Sequence, residues 1–125
     1  MVMTLKNSKF LSVIECDSIF QFDVMLTNTL TSTITVDIFG KDWGVQDDKG
    51  KVHLVRYKTG AQSTNCSEYQ EIEKLRIASL DPNRPVTFAL RATGDIDPNV
   101  SFYFFTAAKT GRIDGARWQI LKPNR

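Results

Sequence analysis

The chain has little of the residue chemistry on which most metal sites and catalytic centres depend. Its 125 residues include one histidine and two cysteines, which excludes most zinc sites built from several such ligands. No long apolar run is present, which excludes a transmembrane helix. Because 16 Lys and Arg face 14 Asp and Glu, the net charge is only +2, and this argues against a strongly basic nucleic-acid-binding protein.

Motifs for catalysis and for phosphate or metal binding are also missing. The sequence contains no G-x-S-x-G, no H-E-x-x-H and no glycine-rich phosphate loop. His53 has no neighbouring nucleophile or carboxylate in the sequence, so we expect a surface histidine in a strand and not a general base. Asp95, Asp97 and Asn99 have the spacing that opens a calcium loop, but a valine follows where that loop needs glycine. The sequence therefore predicts a plain polar turn there, no metal site, no cofactor and no enzymatic activity.

What the chain does contain is alternation with a period of two residues. Apolar and polar residues alternate along residues 20–27, 33–38 and 86–91, which is typical of antiparallel strands with one face on a core and the other in water. Helical periodicity is almost absent. Residues 68–77 do not distinguish a short helix from a strand. Weaker strands are predicted at residues 9–15, 52–57, 101–107 and 117–121.

Turn residues separate these segments. The run Asp47-Asp48-Lys49-Gly50 predicts a hairpin turn, because aspartate favours the start of a turn and glycine supplies a positive φ. Two prolines interrupt the backbone at residues 81–85, just before a predicted strand. Seven to eight short strands with such punctuation predict an all-β fold, a single antiparallel β-sandwich. With no repeat or linker, residues 1–125 are predicted to form one domain, with a core over roughly residues 10–121.

The two cysteines, Cys16 and Cys66, allow two interpretations. A disulfide between them would close a long loop and stabilise the fold by about 4 kcal/mol in the chain-entropy model. Alternatively, both are free thiols in a reducing cytoplasm. Polar residues flank both cysteines, unlike typical core thiols, which slightly favours the disulfide. The N-terminus shows no secretory signal, so the chain is either cytosolic or a mature domain cut from a longer precursor.

Three residues form a candidate ligand platform. Arg56 precedes Tyr57 in a predicted strand, and Trp43 follows a predicted turn. Exposed aromatic rings beside basic side chains are typical of stacking platforms for nucleic acids or sugars. Flanking charges are also expected by chance on an alternating strand, and for Trp43 core packing is the favoured alternative.

Three short motifs give the order of elements a resemblance to a known family. These motifs are Thr27-Asn28 at the end of an early strand, Asp48-Lys49-Gly50 in a hairpin, and Leu80-Asp81-Pro82 before a strand. Over roughly residues 10–121 the chain resembles the telokin-like, immunoglobulin-like β-sandwich domains of secreted or envelope-anchored bacterial proteins. The resemblance implies an interaction or accessory role without catalytic residues.

Two functional hypotheses follow. The first is a non-enzymatic protein-interaction or accessory domain outside the cytoplasm (periplasmic, cell-surface or secreted), contacting a protein partner through sheet edges or through loops 41–51 and 94–99. The second is a small β-sandwich module that binds a carbohydrate-type ligand at Trp43, Arg56 and Tyr57. A nucleic-acid partner and a membrane span are not expected. A homodimer is compatible with the sequence, and a symmetric dimer would favour the first hypothesis.

Overall fold

A computed structural model of the chain describes residues 2–39, 42–94, 99–107 and 116–121. These residues form β-strands and one short 3-10 helical turn, Cys66–Glu68, and every strand pair is antiparallel. The prediction of an all-β antiparallel fold is therefore confirmed. The strands are β1 (Val2–Glu15), β2 (Ser18–Thr27), β3 (Ile34–Phe39), β4 (Trp43–Asp47), β5 (Val52–His53), β6 (Val55–Thr59), β7 (Gln70–Glu71), β8 (Lys74–Leu80), β9 (Val86–Thr93), β10 (Phe102–Ala107) and β11 (Ala116–Leu121).

These strands are arranged in three sheets. A five-stranded sheet, here called the large sheet, has the order β1-β2-β9-β6-β7. A four-stranded sheet has the order β11-β10-β4-β5, and β3 pairs with β8 in a two-stranded sheet. The three strongly alternating segments of the sequence lie in β2, β3 and β9, as predicted.

The described part of the chain has eleven strands, where the sequence predicts seven to eight. One reason is that the predicted strand at residues 52–57 is two strands in different sheets, β5 and β6, which meet at Leu54. A second reason is that residues 68–77 form no helix beyond one 3-10 turn and contain β7 and the start of β8. The immunoglobulin-like arrangement of the strands stays a prediction.

One apolar cluster lies between the sheets and draws residues from all three. Phe22 of β2 and Phe105 of β10 have ring centroids 4.8 Å apart, and Phe20 and Tyr103 are 5.8 Å apart. Tilted aromatic pairs of this kind stabilise a core beyond the area they bury. Because each pair joins the large sheet to the four-stranded sheet, the two sheets pack face to face, which is consistent with a β-sandwich.

The other face of the large sheet carries buried polar side chains, where the alternation predicts side chains in water. Gln21 and Asp23 of β2 are buried, and Arg91 of β9 is only 1% exposed. Asp23 accepts a hydrogen bond from the Asn7 side chain of β1 at 2.9 Å. Arg91 is covered by the long connection between β6 and β7, residues 60–69, which we call the cover loop. Arg91 donates a hydrogen bond to the Ser63 carbonyl at 2.8 Å, and its guanidinium stacks over the Tyr69 ring at 4.6 Å.

Asn28, which is fully buried, connects three segments of the chain. Its side-chain amide donates to the carbonyls of Ser32 at 2.8 Å and Leu80 at 2.9 Å. Its side-chain oxygen accepts from the Leu30 N–H at 2.9 Å, and an isolated bridge pairs it with Pro82. The Thr27-Asn28 and Leu80-Asp81-Pro82 motifs, distant in sequence, are therefore in direct contact.

We expect Asn28→Ala to lower the free energy of unfolding by about 2–3 kcal/mol, because it leaves buried carbonyl groups without donors. Asn28→Asp keeps the shape and the acceptor but loses both donated bonds, so it should also destabilise the fold. Thr29→Ala, at an exposed neighbour, is the matched control and should change stability by less than about 0.5 kcal/mol. Urea unfolding measures all three, and an unchanged midpoint for Asn28→Ala would contradict the role assigned to this amide.

Candidate functional site

The structure does not bring the three residues of the candidate ligand platform together. Trp43 is 2% exposed and packs against Phe88 and Phe105, with ring centroids 6.2 and 5.7 Å away. It lies in the core, as the alternative of core packing predicts. Arg56 and Tyr57 are consecutive in β6, so their side chains point to opposite faces of the strand. They line two separate grooves.

The groove that contains Arg56 opens where β6 and β7 separate. The two strands pair at Tyr57–Gln70 and at Arg56–Glu71, and the pairing stops there. Beyond that point the chain leaves β7 for the two-stranded sheet, and on the other side Leu54 joins β6 to the four-stranded sheet. The result is a groove of about 360 Å³, here called the Leu54 groove. It is lined by Leu54, Val55, Arg56, Glu71, Ile72, Glu73 and Thr93.

This groove has an apolar floor and a charged rim. Val55 and Ile72 are buried beneath it, whereas Leu54 is 72% exposed beside it. Arg56 on one wall lies 3.9 Å from the Glu71 carboxylate on the other, in an exposed ion pair. Such pairs contribute little to stability. An apolar floor with a few polar groups at the rim is a common design of binding sites.

A second groove, of about 300 Å³, is lined by Tyr57, Lys58, Thr59, Glu68 and Gln70. Its lining is polar apart from the tyrosine ring, whose hydroxyl donates to the Gln70 side chain at 3.5 Å. Tyr57 is half-buried, so only part of its ring can meet a ligand. Of the two grooves, this one is therefore the weaker candidate for a binding site.

His53 lies directly behind the Leu54 groove and is buried, so the prediction of a surface histidine is wrong. Its Nε2 lies 3.2 Å from Asp47 Oδ2, and its Nδ1 lies 3.1 Å from the Thr93 carbonyl oxygen. Both partners are acceptors, since Asp47 is a carboxylate, so the ring makes both hydrogen bonds only when each nitrogen carries a proton. The partners lie 6 and 40 residues away in sequence, which is why no neighbouring residue revealed them.

Asp47, at the start of the predicted hairpin turn, is also buried. Its Oδ1 accepts hydrogen bonds from the backbone N–H groups of Lys49 and Lys51, both at 2.9 Å, and these close the predicted turn. Burial raises the pKa of Asp47, but the hydrogen bonds from Lys51, His53 and Lys49 outweigh it. The pKa of Asp47 therefore lies below its ordinary value, and the carboxylate is ionised at neutral pH.

Thr93 joins the buried histidine to the groove. Its backbone N–H donates to the Leu54 carbonyl at 2.8 Å, its hydroxyl donates to the same oxygen at 3.1 Å, and its own carbonyl faces His53. The next residue, Gly94, has φ +124°, and a Cβ there would lie 2.7 Å from His53 Nδ1. Glycine is therefore required at this position for the histidine to fit.

Cys16 and Cys66 meet as a disulfide pair, with Cα atoms 6.0 Å apart. Cys16 and Asp17 both have positive φ and form the two-residue turn between β1 and β2, a geometry that suits a tight hairpin. Cys66 lies in the cover loop, so the pair fastens that loop to the β1–β2 hairpin. Gln62 reinforces the attachment by donating to the Asn7 carbonyl at 2.9 Å.

Several kinds of function find no counterpart in the part of the chain that the structure describes. No group of three or more His, Cys, Asp or Glu side chains there is placed to hold a metal ion. No helix there is long and apolar enough to span a membrane. Asp95 and Asp97, from the calcium-loop spacing, lie outside the described residues.

The sequence did not identify Leu54, or the residues Glu71, Ile72 and Glu73 on the opposite wall of the groove, as site residues. One signal was present, because Leu54 and Val55 are consecutive apolar residues and break the period of two. That break marks the point where the chain changes sheets. Comparison of the chain with protein-family models, with curated proteins and with solved structures finds no match.

We expect Asp47→Ala to destabilise the fold by about 2–4 kcal/mol at pH 7, because it removes the acceptor that His53 and the backbone N–H groups of Lys49 and Lys51 share. Because the folded-state pKa is lowered, Asp47 stabilises the fold above the unfolded value of about 3.9. That contribution is lost as the pH falls through the folded-state pKa. Urea unfolding of wild type and Asp47→Asn should therefore show their difference shrinking below pH 4. Glu73→Gln, at an exposed carboxylate, is the control, and a constant Asp47→Asn difference would contradict the assignment.

We expect the Cys16→Ser, Cys66→Ser double variant to lose about 4 kcal/mol of stability, since the bridge would close a loop between residues 50 apart. Reduction of the wild type with dithiothreitol should produce a similar loss, and the double variant should not respond to dithiothreitol. Urea unfolding with and without reductant measures both. Alkylation of both thiols in unreduced protein would show that no bridge forms.

Proposed function

We propose that the chain is a non-enzymatic protein-interaction domain and that the Leu54 groove is its binding surface. The single observation that supports this most is the exposure of Leu54 beside the apolar floor of that groove. Val52 is 64% exposed and Leu54 is 72% exposed, and they flank a buried histidine. Isolated exposed leucines are ordinary, but exposed apolar residues next to a groove are typical of protein-binding sites.

The two alternatives receive less support. An enzyme of this composition would rely on the only histidine, and His53 is enclosed by Asp47, Thr93 and the Tyr103 ring. A carbohydrate-type module would rely on exposed aromatic faces. With Trp43 in the core, it would have to use the polar groove at Tyr57, where the ring is half-buried.

We place the domain outside the cytoplasm as part of the same proposal. The Cys16–Cys66 pair supports this location, because disulfides persist in oxidising compartments and are rare in the cytosol. The resemblance to immunoglobulin-like domains of secreted or envelope-anchored proteins points the same way.

The proposal is tested with a displayed library of random twelve-residue peptides, selected on the purified domain. We expect enriched peptides to bind with micromolar affinity when measured by fluorescence anisotropy. Leu54→Asp should weaken that binding at least tenfold, because burial of a leucine side chain contributes about 1.5–3 kcal/mol. The substitution should leave the fold intact, since Leu54 is exposed.

Leu30→Asp is the matched control, because Leu30 is another exposed leucine and lies outside the groove. It should change peptide affinity by less than twofold. Thermal unfolding of both variants confirms that they are folded. The proposal fails if no peptide is enriched, or if the enriched peptides bind Leu54→Asp as tightly as wild type.

A further inference from the structure

The Leu54 groove occupies the place of a β-ladder that is left unfinished. If the pairing of β6 and β7 continued past Arg56–Glu71, Val55 would face Ile72 and Leu54 would face Glu73. Neither pair forms. An extended chain fits such a gap, because main-chain hydrogen bonding to a strand edge is a general mode of peptide recognition. The side chains at the gap then decide which peptide is accepted.

Those side chains favour an apolar residue at the centre of the incoming segment. Val55 and Ile72 form an apolar floor that is only 4% and 6% exposed, so most of the apolar surface left to cover belongs to Leu54. Leu54 stands beside the floor with most of its surface in water. A large apolar side chain of the incoming segment that packs against Leu54 would remove this surface from water.

The rim charges favour a basic flanking residue. The groove carries one positive side chain, Arg56, and two carboxylates, Glu71 and Glu73. Arg56 and Glu71 partly neutralise each other across the groove. Glu73 is exposed, and within the described residues no hydrogen bond or ion pair engages its carboxylate. The groove therefore has a net negative rim, which complements lysine or arginine in a partner.

We infer that the Leu54 groove binds an extended segment of a partner protein in which a large apolar residue is flanked by lysine or arginine. This inference rests on the proposed function, because it names the partner chemistry of the same surface. The segment continues the unfinished ladder, its apolar side chain covers Leu54, and its basic side chain meets Glu73. The charges add selectivity more than affinity, since exposed ion pairs are individually weak.

The test uses two labelled synthetic peptides that differ only in charge. Both have a central phenylalanine in a threonine-rich sequence, flanked by two lysines in one peptide and by two glutamates in the other. In low-salt buffer we expect the basic peptide to bind wild type about fivefold more tightly. Glu73→Lys should remove that preference, and Leu54→Asp should weaken both peptides. Glu68→Lys, an equivalent charge change outside the groove, is the control and should keep the preference.

Hydrogen exchange supplies the second readout. Bound basic peptide should slow amide exchange at Ile72 and Glu73, and the same amides should stay unprotected in Leu54→Asp. Peptides that bind through Leu54 without a charge preference, or without slowed exchange at these amides, would overturn the inference and leave the proposed function standing. Absence of any Leu54-dependent binding would overturn both. A concentration-dependent dimer that Leu54→Asp dissociates in sedimentation would make a second copy the occupant and overturn the inference.

Discussion

The hydrogen bonds of His53 hold the large and four-stranded sheets in register at the end of the fold where the groove opens. His53 belongs to the four-stranded sheet, and Thr93 belongs to the large sheet. Asp47 orients the ring from the other side and also closes the turn before β5. A buried carboxylate without its hydrogen-bond partners is costly. Asp47, His53 and Thr93 are therefore held in this arrangement in the folded protein. The position of Leu54, the next residue, follows from it.

The fold class could be predicted because each alternating segment carries its own signal. Phe20, Phe22, Val24 and Leu26 share one face of β2, and that face lies in the core. The opposite face could not be predicted in the same way. Arg91, on that face of the large sheet, looks solvated in the sequence, yet it is buried because the cover loop packs over it. Burial by a distant loop leaves no local pattern, so alternation indicates a strand without indicating what covers its polar side.

The residues of the candidate site were even harder to predict from local sequence patterns. Arg56 and Tyr57 are adjacent in sequence. For that reason their side chains lie on opposite faces of β6, because neighbours in a strand point to opposite faces. Glu73 and Leu54 line the same groove because β6 and β7 separate after the pair Arg56–Glu71. The consecutive apolar residues Leu54 and Val55 were the local sign of this change of sheet. The opposite wall of the groove, Glu71 to Glu73, is placed by the course that the chain takes as it leaves β7. No pattern in a single sequence predicts that course.

The exposure of Leu54 is tied to the burial of His53. Successive side chains in extended backbone point to opposite sides, so a chain that turns a histidine inward at position 53 must turn position 54 outward. The fold thereby buries a polar ring and exposes an apolar side chain, the reverse of the usual preference. Two bonds from Thr93 to the Leu54 carbonyl fix the backbone in this arrangement. A groove held in this way would need little ordering to bind the proposed partner, and that partner would cover the exposed Leu54 side chain.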